Sequence, residues 1–202
     1  MKSKIFKSVF MIAAVAFLAV GSSGAYLSDT VTVTGNSFTA GTWDNSNDKV
    51  VINEVYYDGT KEWIELYNSD DATIDIKGWS ICDNTDSCGS LNPEQKTEII
   101  PGEFVIVAHD AGDLNGWLIN PLVDKIYYAG NKISFNDTGD AVILKDDNNS
   151  VVDQMSYGSD TTAFSPSCPL VADGHSLQRN PAGHDTGTKN DFFDQITPTP
   201  GA

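Results

Sequence analysis

Positive charge is what this sequence has least of. Twelve Lys and Arg face 28 Asp and Glu over 202 residues, a formal charge of −16. So acidic a surface repels phosphate backbones and anionic lipid, and nucleic acid is not an expected partner. Divalent cations and basic partners are the electrostatically permitted company. Cysteine is sparse as well. Cys82, Cys88 and Cys168 match neither the CxxC pairs of zinc sites nor those of thiol oxidoreductases. No serine sits in a G-x-S-x-G elbow, and no His and Asn context frames Cys168 as a nucleophile. Sustained helical periodicity is missing after residue 25, and there is no internal repeat. Long apolar runs are missing too: residues 9–20 supply twelve positions, against the roughly 20 that a bilayer-spanning helix needs.

That short run belongs to a different layout. Lys2, Lys4 and Lys7 precede it, and Gly21, Ser22, Ser23, Gly24 and Ala25 follow it. A basic segment, an apolar segment and a small-x-small site form a secretory signal. The expectation is an N-terminal signal helix cleaved between Ala25 and Tyr26, with Ser23 and Ala25 as the small flanking residues. The rival is a retained anchor; after cleavage no stable membrane span is expected. Export makes the protein secreted, extracellular or cell-surface. Cleavage would leave 177 residues with nine Lys and Arg against 28 acids, a formal charge of −19. That length suits one domain with one core. The expected organisation is a signal over 1–25, a leader over 26–48, a domain core over 49–165 and a closing segment of the same domain over 166–202.

Short β-branched and aromatic runs fill the rest, separated by Gly, Asn, Asp and Pro. They predict strands at 50–57, 62–68, 73–76, 79–82, 104–108, 141–145 and 151–157, with shorter ones at 125–128 and 175–179. In "EWIELYN", Trp63, Glu65 and Tyr67 share one side, while Ile64 and Leu66 share the other. "DAVILKDDNNSVVDQMSY" reads as a hairpin turning at 146–149. Residues 110–124 are expected to form a loop with a short helical turn, and 158–174 to be irregular. The alternating Thr and Pro of "ITPTPGA" cannot continue a central strand. Many short antiparallel strands predict an all-β chain, an immunoglobulin-like β-sandwich.

Several residue sets invite a chemical reading. In an exported protein two of the three cysteines should pair. Cys82 with Cys88, around the turn-rich 83–87, is the simplest staple, and Cys88 with Cys168 is the rival. Glu54 and Glu65 lie on neighbouring strands and have the makings of an acid–base pair, but exposed sandwich faces carry such residues routinely. Asp110 and Asp113 beside His109, and Asp146 and Asp147, are oxygen-rich loops of the kind calcium takes. Neither has EF-hand spacing, so no cofactor is expected and calcium is the weak candidate. His109, His175 and His184 are the residues an intrinsic hydrolase would need. His175 and His184 read more simply as surface or hydrogen-bonded.

"VVINEVYYDGTKEWIELYNSDDATIDIKGWSICD" resembles the opening of the lamin tail domain family, through Ile52-Asn53-Glu54-Val55, the run from Glu62 to Asn68, and Ile76-Lys77-Gly78-Trp79. Pro101-Gly102 before "FVIVAHD" resembles its proline-glycine-then-strand step. "HSLQRNPAGHDTGTKNDFFDQITPTPGA" resembles its C-terminal pattern. The resemblance covers residues 50–201 and implies an immunoglobulin-like sandwich closed by its last segment. Trp63 and Trp79 would fill the core or its rim. Arg179 would pair with Asp185 or Asp191 to fix the closing loop, and Phe192 would anchor it. Upstream, Tyr26-Leu27-Ser28-Asp29-Thr30 and Asn36-Ser37-Phe38-Thr39-Ala40-Gly41-Thr42 resemble exported biofilm-matrix and camelysin-like proteins, which implies a prokaryotic cell surface. In "DTVTVTG" the β-propensity is that of an edge strand or leader. The function expected is a non-enzymatic interaction or structural module whose partner is a protein or an envelope or matrix polymer. The alternative is an accessory module acting in trans with an extracellular hydrolase or nuclease.

Overall fold

Alternating apolar residues need a second layer to cover them, and here two sheets cover each other. The computed structural model describes residues 50–57, 61–91, 96–117, 119, 126–129 and 133–202. The expected signal, the Ala25–Tyr26 cleavage site and the leader lie outside the described residues. Among the described residues twelve strands follow one another: β1 Val50–Tyr56, β2 Trp63–Asn68, β3 Ile74–Asp75, β4 Ser80–Cys82, β5 Cys88–Ser90, β6 Glu98–Ile99, β7 Phe104–Ala108, β8 Ile126–Tyr128, β9 Ala141–Lys145, β10 Val151–Ser156, β11 Ser176–Arg179 and β12 Phe192–Gln195. Six form one sheet in the order β12-β11-β1-β2-β7-β8, and four form another in the order β10-β9-β4-β5. β3 and β6 pair separately. Only β7 and β8 run parallel among these pairs.

The core lies between the sheets. Ile52, Val55, Ile64, Leu66, Val105, Val107 and Leu177 of the larger sheet meet Ile81, Val142, Leu144 and Met155 of the smaller one. A bulge decides what faces away. The β1–β2 register shifts between Ile52 and Glu54, so the inward series Val50, Ile52 resumes at Val55 rather than at Glu54. Glu54 and Tyr56 therefore point to the outer face. That face carries its own small cluster, in which Tyr56, Trp63, Ile106, Ala108 and Leu114 are buried with Trp117 against them. Tyr56 stacks on Trp63 at 5.9 Å, and Trp117 meets both edge-on.

Most expected strands lie where the alternation placed them, within a residue or two at the ends. Three short strands were not expected: β5, β6 and β12. Each is held by pairing rather than by its own residues. β5 lies opposite β4, with Cys82 facing Cys88, and these two form the disulfide. Cys168 is free and buried. Trp79 is buried with the main core, and Gly78 makes the turn before it at φ +82°.

Candidate functional site

One row of residues crosses the larger sheet from edge to edge. The register pairs Phe193 with Gln178, Gln178 with Glu54, Glu54 with Glu65, Glu65 with Ile106, and Ile106 with Ile126. Their neighbours Val55, Ile64 and Leu177 face the core, so this row looks outward. Two carboxylates stand side by side at its centre. Both are fully buried, which corrects the expectation of an exposed face. The cover is the C-terminal segment. Thr199 N–H donates to the Glu54 carboxylate at 3.2 and 3.3 Å, and Gly201 N–H donates to Glu65. Gln178 reaches the Thr199 hydroxyl at 2.9 Å and the Ala202 carbonyl at 3.3 Å. From below, Ser176 donates to Glu54 and Asn53 to Glu65 at 2.7 Å. Burial raises both carboxyls. Glu65 is pushed up to about 8, with the Glu54 charge adding to the effect, while Glu54 is raised despite the bonds from Ser176 and Thr199.

A second constellation stitches the two sheets together. Arg179 is the chain's one arginine, and its side chain is 0% exposed. Its Nε donates to the Ile52 carbonyl at 2.7 Å. Its Nη2 bonds Asp153 at 2.9 and 3.1 Å. Its Nη1 reaches the His184 carbonyl at 2.8 Å, Asp185 at 3.1 Å and Asp191 at 3.4 Å. The guanidinium also lies 4.5 Å from the Phe192 ring centroid. Arg179 thus meets both Asp185 and Asp191, but its closest carboxylate is Asp153, which sequence reasoning missed. Asp153 also accepts the Ile52 N–H at 2.7 Å, so β10 of one sheet holds β1 of the other. The only signal was an aspartate on the side of β10 shared with Val151 and Met155. Asp191 is held below the ordinary carboxylate range: burial opposes this, but bonds from Thr186 and Thr188 and the Arg179 charge outweigh it. Gly183 keeps the closing loop tight, because a Cβ there would meet the Tyr67 ring at 2.6 Å.

The remaining candidates cap their own loops. Asp146 accepts the N–H groups of Asn148 and Ser150 at 2.9 and 2.7 Å, and Asp147 accepts from the Asn148 amide. His109, Asp110 and Asp113 do come together, with ligand atoms within 4.8 Å of one another. Asp113 accepts the Asp110 N–H at 3.1 Å, and Asp110 accepts the Gly112 N–H. The three histidines do not converge. His175 pairs with Asp194 at 2.7 Å, and His184 stands 3.8 Å from Asp191. A groove of about 280 Å³ opens between residues 163–166 and 187–190, and Lys189 is its sole ionisable lining residue, so it offers no acid–base pair. Burial pushes the Cys168 thiol up to about 11, far from a nucleophile's range. Glu62 is pushed up to about 7 by burial, and accepts the Phe135 N–H at 2.9 Å.

These arrangements define a class: an immunoglobulin-like β-sandwich whose buried polar groups hold loops and termini in place. The family model described as Lamin Tail Domain matches residues 43–159. The chain belongs to the lamin tail domain family. The match stops short of the closing segment that holds Arg179 and the C-terminal residues. No curated protein matches the chain.

Proposed function

We propose that the protein is an exported, non-enzymatic binding module that presents its larger sheet's outer strand to a protein or an envelope polymer at a prokaryotic cell surface. One observation carries this reading. β12 is the last strand of the six-stranded sheet, and it exposes Phe193 at 52% and, just beyond it, Ile196 at 70%. No described strand pairs with its outer side, and an edge with exposed apolar side chains is the usual means of strand addition. The Cys82–Cys88 disulfide suits an oxidising compartment and supports export. Polar groups that elsewhere serve catalysis are here committed to Arg179 and to the C-terminal segment, which supports a binding role.

The test is co-sedimentation of the full chain with isolated cell-envelope fractions, with and without calcium, alongside a Phe193→Ser/Ile196→Ser double variant. The reading expects the wild type to pellet and the variant to lose most of that binding in both conditions. Binding that needs calcium and ignores the double variant would move the surface to the loop of Asp110 and Asp113. An unbound wild type would overturn the cell-surface reading and favour a soluble enzyme partner.

A further inference from the structure

The Glu54–Glu65 pair makes an unusual clamp for a chain end. Each carboxylate is fully buried. The side chains that touch them from β1, β11 and β2 are Asn53, Ser176, Gln178 and each other. From β7, Ile106 completes the row. From above come the main-chain N–H groups of Thr199, Gly201 and Ala202 and the Thr199 hydroxyl. None of these neighbours is a cation; the one arginine is engaged elsewhere with three aspartates. Among the described contacts no cation offsets either charge, and the Glu54 carboxylate adds to the burial that raises Glu65. Pro200 and Gly201 are buried over the pair, while Ile196 and Thr197 are exposed. The segment is thus tied down at 199–201 and solvent-exposed at 196–197, just past the paired Gln195.

We propose that residues 197–202 form a proton-dependent clasp, held across the sheet's outer face while the Glu54–Glu65 pair retains a proton and released once both carboxyls ionise. The N–H groups of the clasp favour ionised carboxylates, but burial outweighs them, because two adjacent buried negative charges without a cation are costly in a low-dielectric site. Lifting the clasp admits water to both. Proton uptake then favours closure. Glu65 titrates near 8 when the clasp is closed, against an ordinary value of 4.5. A raised value means that the contribution is complete below about 4.5 and is lost as pH rises towards 8, at about tenfold per pH unit for one proton. Release uncovers the Gln178–Glu54–Glu65 row beside Phe193, on the same sheet as the outer strand.

Amide hydrogen exchange of the full chain at several pH values tests this, after correction for the intrinsic base-catalysed rate. Protection of the Thr199 and Gly201 amides should fall about hundredfold between pH 5 and pH 7 and stay well below that of the β1 and β9 amides at each pH, because the clasp opens without the sheets. Glu65→Gln keeps the shape and removes the titrating group, so its Gly201 amide should lose most of that pH dependence. Circular dichroism of the variant confirms that the sheets are intact. If the variant does not fold, the wild-type profile decides alone. Equal protection of the tail amides at pH 5 and pH 8, tail amides as protected as those of β1 and β9 throughout, or a folded Glu65→Gln that keeps the wild-type profile would each overturn the clasp.

Discussion

At the scale of single residues, Arg179 carries the largest structural role. Five polar partners and a ring surround a guanidinium with no exposed surface. Removing it leaves Asp153 and Asp191 buried without their counter-charge, which typically costs about 3–5 kcal/mol. Arg179→Ala should therefore lower the unfolding free energy by that amount in a urea titration. Arg179→Lys should fall between, because a point charge cannot serve Ile52, Asp153 and Asp191 from one fork. A lysine variant as stable as the wild type would mean that charge alone matters. The resemblance of the closing segment pointed to Arg179, Asp185, Asp191 and Phe192 as one unit. Asp153 escaped notice because its partner lies 26 residues away on another sheet, and nothing in a linear pattern reports that.

At the scale of elements, the legible strands are the ones rich in β-branched residues. β1, β7 and β9 read "VVINEVY", "FVIVA" and "AVILK", and their apolar density states their burial directly. β5 reads "CGS" and β12 "FFDQ", and these become strands only because β4 and β11 offer them a ladder. Period-two reasoning separated Trp63 and Glu65 from Ile64 and Leu66. It could not tell that the outer side of β2 would also be covered, since the cover comes from residues 199–201, some 136 positions away. The disulfide belongs to this scale as well. It closes a loop over a separation of six residues, so a chain-entropy estimate puts its contribution at about 2 kcal/mol. Cys82→Ser/Cys88→Ser should cost roughly that in denaturant unfolding and lower the larger sheet's amide protection by no more than the matching factor of about thirty. Collapse of both sheets would show that β4–β5 is needed for the whole fold.

At the scale of the whole molecule, the pattern of buried acids sets the response to pH. Glu62 and Glu65 are pushed up to about 7 and about 8, each by burial first. Groups raised in this way bind more protons in the folded state than in the unfolded chain. Their contribution is complete below about 4.5 and is lost as pH climbs through 7 to 8. Stability should thus be greater near pH 5 than near pH 8.5, by on the order of 6 kcal/mol if both groups titrate fully. Urea midpoints at the two values check this, and Glu62→Gln/Glu65→Gln should flatten the difference. A midpoint that rises with pH would show that ionised carboxylates such as Asp191 dominate instead. Net charge was visible in composition, but the pH response was not, because it depends on which few of 28 acids the fold hides.

The isolation of Arg179 gives the chain a built-in reporter. As the chain's one arginine, sealed within β11 between the two sheets, it is the single bond at which an arginine-specific protease can cut. Folded molecules present that bond to no enzyme, whereas any molecule that opens yields one fragment of residues 1–179 and one of 180–202. The rate of that single cleavage counts openings of the sandwich directly, without a label, a cofactor or a known ligand.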